Sequence, residues 1–173
     1  MSVEAKRIIV SIDKQELYFY NKEELIKTYS IASAKNGVGQ IMRSECTPLG
    51  QHQICEKIGD QAVLNSVFVA RELTGEVYSD EFGKAHPNRD WILTRILWLE
   101  GLEEGFNQGV LSGSKDSVQT SCDTRQRFIY IHGCPDSHPM QIPSSHGCIK
   151  MRNADIIELY EQVSVGTIVD IQQ

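Results

Sequence analysis

The sequence predicts a single, mainly β domain over residues 1–173, and three observations support this prediction. Short runs of β-branched and aromatic residues recur along the chain between turn residues, which is typical of strands. A single segment near the end has helical periodicity. The length of 173 residues is that of one domain, and a domain of this size buries about 70% of its extended surface without needing disulfides or a structural metal.

The strand pattern is clearest in the first half of the chain. The runs "RIIVSID" and "ELYFYN" flank a turn at residues 14–15, and "ELIKTYSIASA" follows a second turn at residues 21–22. The runs "AVLNSVFVARE" and "GEVYS" predict a hairpin that turns around Thr74 and Gly75. Residues 90–102, "DWILTRILWLEGL", fit a strand or a helix, and their β-branched and aromatic content favours a strand.

The second half contains a loop, two strands and the helix. Residues 103–124 are polar and rich in Gly and Ser, so we predict a long loop. "RQRFIYIHG" predicts a strand that ends at Gly133, and "TIVDIQ" predicts the last strand. Asn153 is expected to cap the helix "ADIIELYEQV". The apolar face of this helix comprises Ile156, Ile157, Tyr160 and Val163.

Composition excludes several classes of partner. The net charge of -6 and the pI near 5.4 argue against nucleic acid or an anionic membrane as the main partner. The start "MSVEAKRIIVSID" lacks the apolar core of a secretory signal, so we expect a cytoplasmic protein, or a periplasmic one only through an unconventional export route. Five cysteines without framework-like spacing suit a reducing compartment.

Two His-Gly-Cys triplets, in "YIHGCPD" and "SSHGCIK", indicate where the chemistry lies. A cysteine becomes a nucleophile as the thiolate, which requires a neighbouring base. His132 precedes Cys148 by sixteen residues, and a chain that folds back between them would bring imidazole and thiol together. The Gly133 carbonyl is suitably placed to fix the tautomer of that imidazole. The backbone amides around Gly147 are expected to face a developing oxyanion, which predicts acyl transfer through a thioester.

Two alternatives assign the triplets no catalytic role. They are buried thiols with a satisfied core histidine, or a zinc site that draws on His132, Cys134, His138, His146 and Cys148. Structural zinc sites usually have tighter pairs such as Cys-x2-Cys, so we expect neither a metal nor another cofactor. Tyr130 shares the strand face of His132 and is a candidate substrate contact.

The spacing of these residues resembles that of a known family. "IHG", eleven further residues and "SHGCIKM" resemble the signature of the L,D-transpeptidase catalytic domain, the YkuD family. The segment "CTPLGQHQI" resembles the TP-x-G segment of that family, and "NADIIELYEQVSVGTIVDI" resembles its terminal helix and strand. The resemblance covers nearly the whole chain and implies a β-sandwich with one or two helices. It implies the following site residues: Cys148 as nucleophile, His132 as base, Gly133 as orienting carbonyl, and Ser145, His146 and Gly147 as the acyl pocket.

The resemblance also implies a substrate. The family cleaves the bond between an L-configured centre, usually that of meso-diaminopimelate, and D-alanine in the stem peptides of peptidoglycan. We expect a cytoplasmic L,D-carboxypeptidase that acts on muropeptides in murein recycling. The alternative is an L,D-transpeptidase that forms cross-links or exchanges D-amino acids. A non-catalytic peptidoglycan-binding module is a third possibility, and the intact pair of His132 and Cys148 argues against it.

Two positions depart from the pattern of the family. Lys150 stands where many members carry Arg or Asn, and it is expected to pair with the terminal carboxylate of the substrate as a point charge. Cys134 stands where a small hydroxyl residue is usual. It is either a buried thiol that fills apolar space or the partner of Cys148 in a regulatory disulfide.

Overall fold

The computed structural model describes residues 5–113 and 120–173. Within these ranges the chain forms ten strands and two helices. The strands are β1 (Lys6–Ser11), β2 (Glu16–Asn21), β3 (Glu24–Ala32), β4 (Gly50–Ile58), β5 (Ser66–Val69), β6 (Glu72–Val77), β7 (Ile92–Gly101), β8 (Tyr130–Cys134), β9 (Ile149–Arg152) and β10 (Ile168–Gln172). The helices are α1 (Asp80–Ala85) and α2 (Asn153–Gln162), and neither is long and apolar enough to cross a membrane.

Strand β4 closes the sheet on itself. It pairs antiparallel with β10 on one side and with β7 on the other, so eight strands follow one another in the order β4-β10-β1-β2-β3-β9-β8-β7. The hairpin of β5 and β6 extends the sheet at the start of β7, the end that does not pair with β4. The predicted mainly β, sandwich-like fold is confirmed, and the closure turns it into a barrel-like form with few free edges.

The core lies inside this closed sheet. Alternate residues of β1 and β2 point inward, where Ile8, Val10 and Phe19 are almost completely buried. Helix α2 follows β9 directly and packs Ile156 and Leu159 into the same cluster. Each such side chain contributes roughly 1.5–3 kcal/mol to folding. The core therefore provides a rigid support for the strands that carry the paired triplets.

The hairpin of β5 and β6 turns at a different place from the one predicted. Its two-residue turn is formed by Ala70 and Arg71, with φ of 49° and 67°, as a type I′ turn requires. Gly75, at the predicted turn, has a φ of 85° inside β6. The prediction was wrong because a glycine in a strand was taken as the turn, whereas two non-glycine residues adopt the left-handed conformation.

Two further boundaries differ from the prediction. Strand β8 begins at Tyr130, because Phe128 has a φ of 56° that interrupts the extended backbone. Arg152 occupies the N-cap of α2 with no side-chain cap, whereas the side chain of Asn153 is buried and bonds elsewhere. On the apolar face of α2, Leu159 is buried and Ile157 only partly so.

Strands β4 and β9 were not among the predicted strands, whereas the other elements largely follow the sequence. The ambiguous segment at residues 90–102 forms strand β7, as predicted. The short helix α1 was not predicted; Ser79 caps it by accepting a hydrogen bond from the Phe82 N–H. The predicted loop at residues 103–124 lies partly outside the described residues. Its described parts turn around the buried Asn107, whose side chain donates to the backbone of β4.

Candidate active site

The base and the nucleophile that the sequence predicts lie on neighbouring parallel strands. His132 lies on β8, and Cys148 immediately precedes β9. Parallel neighbours need a crossover connection of a dozen or more residues, and residues 135–148 provide it as a loop. The register of the pair sets Cys148 beside Tyr130. The spacing of the two motifs is therefore the length of this crossover.

One cavity contains both triplet residues. Its volume is about 460 Å³, and it opens between the tip of the β5–β6 hairpin, the start of β7, β8 and the turn before β9. Five of the residues singled out from the sequence line it: Tyr130, His132, Ser145, His146 and Cys148. The remaining lining combines three apolar residues with two charged ones: Ala70, Ile92, Phe128, Arg71 and Asp90.

His132 is buried and has a defined tautomer. Its Nδ1 lies 2.7 Å from the carbonyl oxygen of Gly133, and because a carbonyl only accepts, Nδ1 carries the proton. Burial lowers the pKa of His132 below its usual 6.5, and the nearby Lys150 cation acts in the same direction. The Asp90 carboxylate opposes this shift only in part. The imidazole is therefore neutral near pH 7, with Nε2 free to accept a proton.

Cys148 is a half-buried thiol held by the backbone. The N–H of Tyr130 donates to Sγ at 3.3 Å, and the thiol donates to the carbonyl oxygen of Phe128 at 3.4 Å. Burial raises the pKa of Cys148 to about 12, although the Tyr130 N–H and the Lys150 cation favour the thiolate. The resting site therefore holds a neutral thiol and a neutral imidazole. Proton transfer between them has to accompany attack on a substrate.

The turn that carries Cys148 depends on Gly147 and Ser145. Gly147 has a φ of 133°, and a Cβ there would lie 3.0 Å from Cδ1 of Ile129, so only glycine fits. The hydroxyl of Ser145 donates to the Cys148 carbonyl oxygen and accepts from the Gly147 N–H at 3.2 Å. In the resting site that N–H is directed at Ser145 and not at the predicted oxyanion position.

The TP-x-G segment lies directly behind this turn. The hydroxyl of Thr47 donates to the Gly147 carbonyl oxygen at 3.0 Å and accepts from the Ala34 N–H at 3.0 Å. The neighbouring carbonyl oxygen of Cys46 accepts from the guanidinium of Arg127 at 2.6 Å. A segment one hundred residues away in sequence therefore holds the backbone next to Cys148.

Lys150 does not line the cavity. Its side chain is buried, and its ammonium lies 3.4 Å from the hydroxyl of Ser144 on the crossover loop. The cation at the cavity wall is instead Arg71, in the turn of the β5–β6 hairpin. No sequence pattern singled out Arg71, because the turn was predicted four residues later.

Arg71 is held in place by aromatic side chains. Its guanidinium donates to the hydroxyl of Tyr130 at 3.0 Å and lies 4.8 Å from the ring centroids of both Trp98 and Phe128.

Asp90 is a second charged residue of the cavity that sequence reasoning missed. Its carboxylate lies 3.9 Å from Nδ1 of His146, and 54% of its side chain is exposed.

Cys134 lies too far from Cys148 for a disulfide. Across the parallel pair of β8 and β9, Cys134 lies opposite Arg152. Arg152 is four residues beyond Cys148, which corresponds to a distance of about 13 Å along the strand. Disulfides join Cα atoms that are less than about 7 Å apart. The buried thiol of Cys134 donates to the Met151 carbonyl oxygen at 3.4 Å, and burial raises its pKa to about 11. The structure supports the packing role for Cys134.

The zinc alternative finds no support in the geometry. Across residues 5–113 and 120–173, no group of three or more His, Cys, Asp or Glu side chains is arranged to hold a metal ion. Cys134 is separated from Cys148 as described above, and the side chain of His146 is largely exposed at the cavity rim.

A family model of the L,D-transpeptidase catalytic domain (YkuD) matches residues 5–171. Solved structures with a similar fold include an L,D-transpeptidase from Mycobacterium smegmatis, with 14% identity and a TM-score of 0.54 over 98% of this chain and 59% of that chain. L,D-transpeptidase 3 from Mycobacterium tuberculosis, in complex with a faropenem-derived adduct, has 15% identity and a TM-score of 0.57 over 98% of this chain and 61% of that chain.

A third similar structure is an L,D-transpeptidase from Xylanimonas cellulosilytica. It has 17% identity and a TM-score of 0.52 over 99% of this chain and 62% of that chain. At these identities the structural matches demonstrate a common fold. The chain spans about three fifths of the length of these structures. No curated protein sequence matches it.

Proposed function

Because this chain belongs to the L,D-transpeptidase catalytic domain family, we propose that it is an enzyme that uses Cys148 to cleave peptidoglycan stem peptides. One observation carries the proposal: the thiol of Cys148 and the neutral imidazole of His132 line the same cavity from adjacent parallel strands. A nucleophile beside a base whose tautomer is fixed by a third group is the arrangement that acyl transfer requires. Gly133 is that third group.

The acylation step follows from the resting protonation states. As Sγ of Cys148 forms a bond to the substrate carbonyl carbon, its proton moves to Nε2 of His132. The carbonyl oxygen becomes an oxyanion, for which the backbone N–H groups of His146 and Cys148 are the candidate donors, because that of Gly147 donates to Ser145. Collapse of this intermediate breaks the C–N bond, and the imidazolium returns the proton to the departing amine. A thioester on Cys148 remains.

Deacylation repeats the same proton transfers with a different nucleophile. His132 takes a proton from water as the water oxygen attacks the thioester carbonyl. The C–S bond then breaks, and the proton returns to Sγ of Cys148 as the acid product leaves. One imidazole therefore serves as base and acid in both halves of the reaction.

Arg71 is the residue we assign to the substrate carboxylate. Its guanidinium is positioned on the cavity wall by Tyr130, Trp98 and Phe128, and its planar donor fork matches a carboxylate. This assignment replaces the role that the sequence suggested for Lys150, whose ammonium is buried beside Ser144.

At a finer level we propose an L,D-carboxypeptidase that removes D-alanine from tetrapeptide stems in murein recycling in the cytoplasm. The rim of the cavity supports hydrolysis, because the side chains of His146 and Asp90 are more than half exposed and leave a path for water to the acyl-enzyme. Water is a small and abundant acceptor that needs no binding site of its own.

A second cavity favours transpeptidation as the alternative. It has a volume of about 380 Å³ and shares Phe128 and His146 with the cavity that holds Cys148. Its lining carries both signs of charge: the exposed carboxylate of Glu45 would pair with the ammonium group of an acceptor stem, and the guanidinium groups of Arg43 and Arg127 with its carboxylates. An acceptor bound there would compete with water for the thioester.

Product analysis separates the two activities. Purified protein is incubated with a disaccharide-tetrapeptide, with and without a free D-amino acid, and the products are identified by mass spectrometry. Tripeptide as the sole product supports the carboxypeptidase, whereas a dimer or a D-amino-acid-exchanged tetrapeptide supports the transpeptidase. Undiminished turnover in a Cys148→Ala variant would refute both.

Faropenem offers a second probe that needs no muropeptide. The Mycobacterium tuberculosis enzyme with the same fold was obtained with a faropenem-derived adduct. We expect faropenem to acylate Cys148, which intact-mass and peptide mapping would detect, and we expect no adduct on the Cys148→Ala variant. An adduct elsewhere on the wild-type chain would contradict the assignment of the nucleophile.

A further inference from the structure

Strand β7 contains a strained bulge directly opposite the catalytic histidine. Leu93 pairs with Gly133, and Ile96 pairs with His132, so two residues of β7 are inserted opposite one step of β8. One of the two inserted residues, Thr94, has a φ of 73°, which is an outlier for a β-branched residue and therefore strained. Such strain persists only where the surroundings hold it in place.

A buried hydrogen-bond network holds Thr94 in this conformation. Its hydroxyl donates to Oδ1 of Asn153 at 2.6 Å and accepts from the Asn65 N–H at 3.1 Å. Arg95 donates to the Thr94 carbonyl oxygen at 2.7 Å. Thr94 and Asn153 are both almost completely buried, so the loss of either partner would leave a desolvated polar group without a bond.

The same network reaches the residues beside His132. Nδ2 of Asn153 donates to the carbonyl oxygen of Cys134 at 2.8 Å. A Cβ on Gly133 would lie 2.5 Å from Oδ1 of Asn153 and 2.6 Å from the Leu93 carbonyl oxygen. The bulge and Asn153 therefore pack closely against Gly133. The carbonyl oxygen of Gly133 accepts the hydrogen bond from Nδ1 of His132.

We propose that Thr94 and Asn153 are positioning residues for the catalytic base. The pair holds the end of β8 so that the Gly133 carbonyl stays on Nδ1 of His132, which keeps Nε2 unprotonated and available to the Cys148 thiol. Neither residue lines the cavity, so both act through Gly133. This inference rests on the proposed function for its effect on rate, but its effect on the tautomer requires no substrate.

The test compares two replacements of Thr94 by NMR and kinetics. Thr94→Ser keeps the hydroxyl, and Thr94→Val keeps the shape but removes it. Long-range ¹H–¹⁵N spectra report the tautomer of His132. We expect the Nδ1–H form alone in the wild type and in Thr94→Ser, and a mixture of tautomers in Thr94→Val. We expect kcat of Thr94→Val to fall about 100-fold with KM unchanged, because a misplacement of about 1 Å has an effect of this size.

A stability control separates positioning from general loss of packing. Lys57 donates to the carbonyl oxygens of Tyr160 and Val163 at the end of α2, so Lys57→Met should lower the melting temperature without changing the tautomer of His132. If Thr94→Val does not fold, Asn153→Ala replaces it in the same comparison. A single Nδ1–H tautomer and a kcat within twofold of Thr94→Ser would overturn the proposal. An altered tautomer in a protein whose wild type turns over no stem peptide would overturn the proposed function alone.

Discussion

The backbone N–H of Tyr130 points at Sγ of Cys148 from 3.3 Å, while the thiol itself donates to Phe128 on the other side. This arrangement holds the side chain of Cys148 in place without ionising it. A sulfur that donates a hydrogen bond to a carbonyl oxygen still carries its proton. The neutral imidazole of His132 completes a resting pair in which neither member is charged. The reactivity of Cys148 towards small electrophiles should reflect this state.

Alkylation of Cys148 should accelerate with pH far into the alkaline range. The pKa of about 12 means that the thiolate fraction rises about tenfold per pH unit up to pH 10, because the thiolate is the nucleophile. Iodoacetamide labelling followed by peptide mass measures this rate, and a free cysteine derivative, whose rate levels off above about pH 8.5, serves as the control. A rate that reaches a plateau below pH 8 would indicate a preformed thiolate–imidazolium pair and contradict the account.

Removal of the Arg71 guanidinium should weaken substrate binding. A hydrogen bond to a charged group contributes about 1.5–3 kcal/mol, so Arg71→Ala should raise KM roughly tenfold to a hundredfold with a smaller change in kcat. Arg71→Lys should recover part of the loss, since it keeps the charge but not the planar fork. Steady-state kinetics with a tetrapeptide stem test this, with the partly exposed Arg7 replaced by Ala as a charge-matched control. An unchanged KM in Arg71→Ala would remove Arg71 from the site.

Thr47 should affect both stability and turnover. Thr47→Val leaves the Gly147 carbonyl oxygen and the Ala34 N–H without their partner, at a cost of about 1–3 kcal/mol, or roughly 2–12 °C in melting temperature. Because Gly147 precedes the nucleophile, kcat should fall as well. Thr47→Ser keeps the hydroxyl and should resemble the wild type in both thermal melts and kinetics. Equal behaviour of the Val and Ser variants would mean that these bonds do not support the turn.

Oxidation should not join Cys134 to Cys148. Their separation of about 13 Å along the parallel strands exceeds the reach of a disulfide. Non-reducing peptide mapping after treatment with oxidised glutathione should therefore find no Cys134–Cys148 peptide. Cys134→Ser should retain the turnover of the wild type under reducing conditions. Recovery of the linked peptide from folded protein would show that β8 and β9 separate in solution.

The sequence was most informative where chemistry and chain geometry coincide. The interval between His132 and Cys148 is the length of a crossover between parallel strands. The motif therefore specifies both the residue types and the spacing that brings them to one cavity. The period-2 patterns of β1, β2 and β10 likewise reflect one buried face and one partly exposed face. These features are local, or depend on one short connection, and can be predicted without knowledge of the rest of the fold.

Features that depend on distant contacts could not be predicted in this way. Arg71 and Asp90 reach the cavity from elements far from both triplets, and no local pattern distinguishes them from other surface charges. Thr94 adopts a left-handed conformation against its own preference, because Asn153 and Asn65 bind its hydroxyl. The closure between β4 and β7 depends on register over some forty residues and carries no signal in either strand.

The proposed reaction passes through a covalent acyl-enzyme on Cys148. Rapid-quench intact-mass spectrometry of the protein mixed with a disaccharide-tetrapeptide measures this directly. We expect a transient adduct whose mass corresponds to the substrate less D-alanine, mapped to Cys148 and formed as D-alanine is released. His132→Ala should slow its formation, and Cys148→Ala should form none. Release of D-alanine by Cys148→Ala at the wild-type rate would contradict the account.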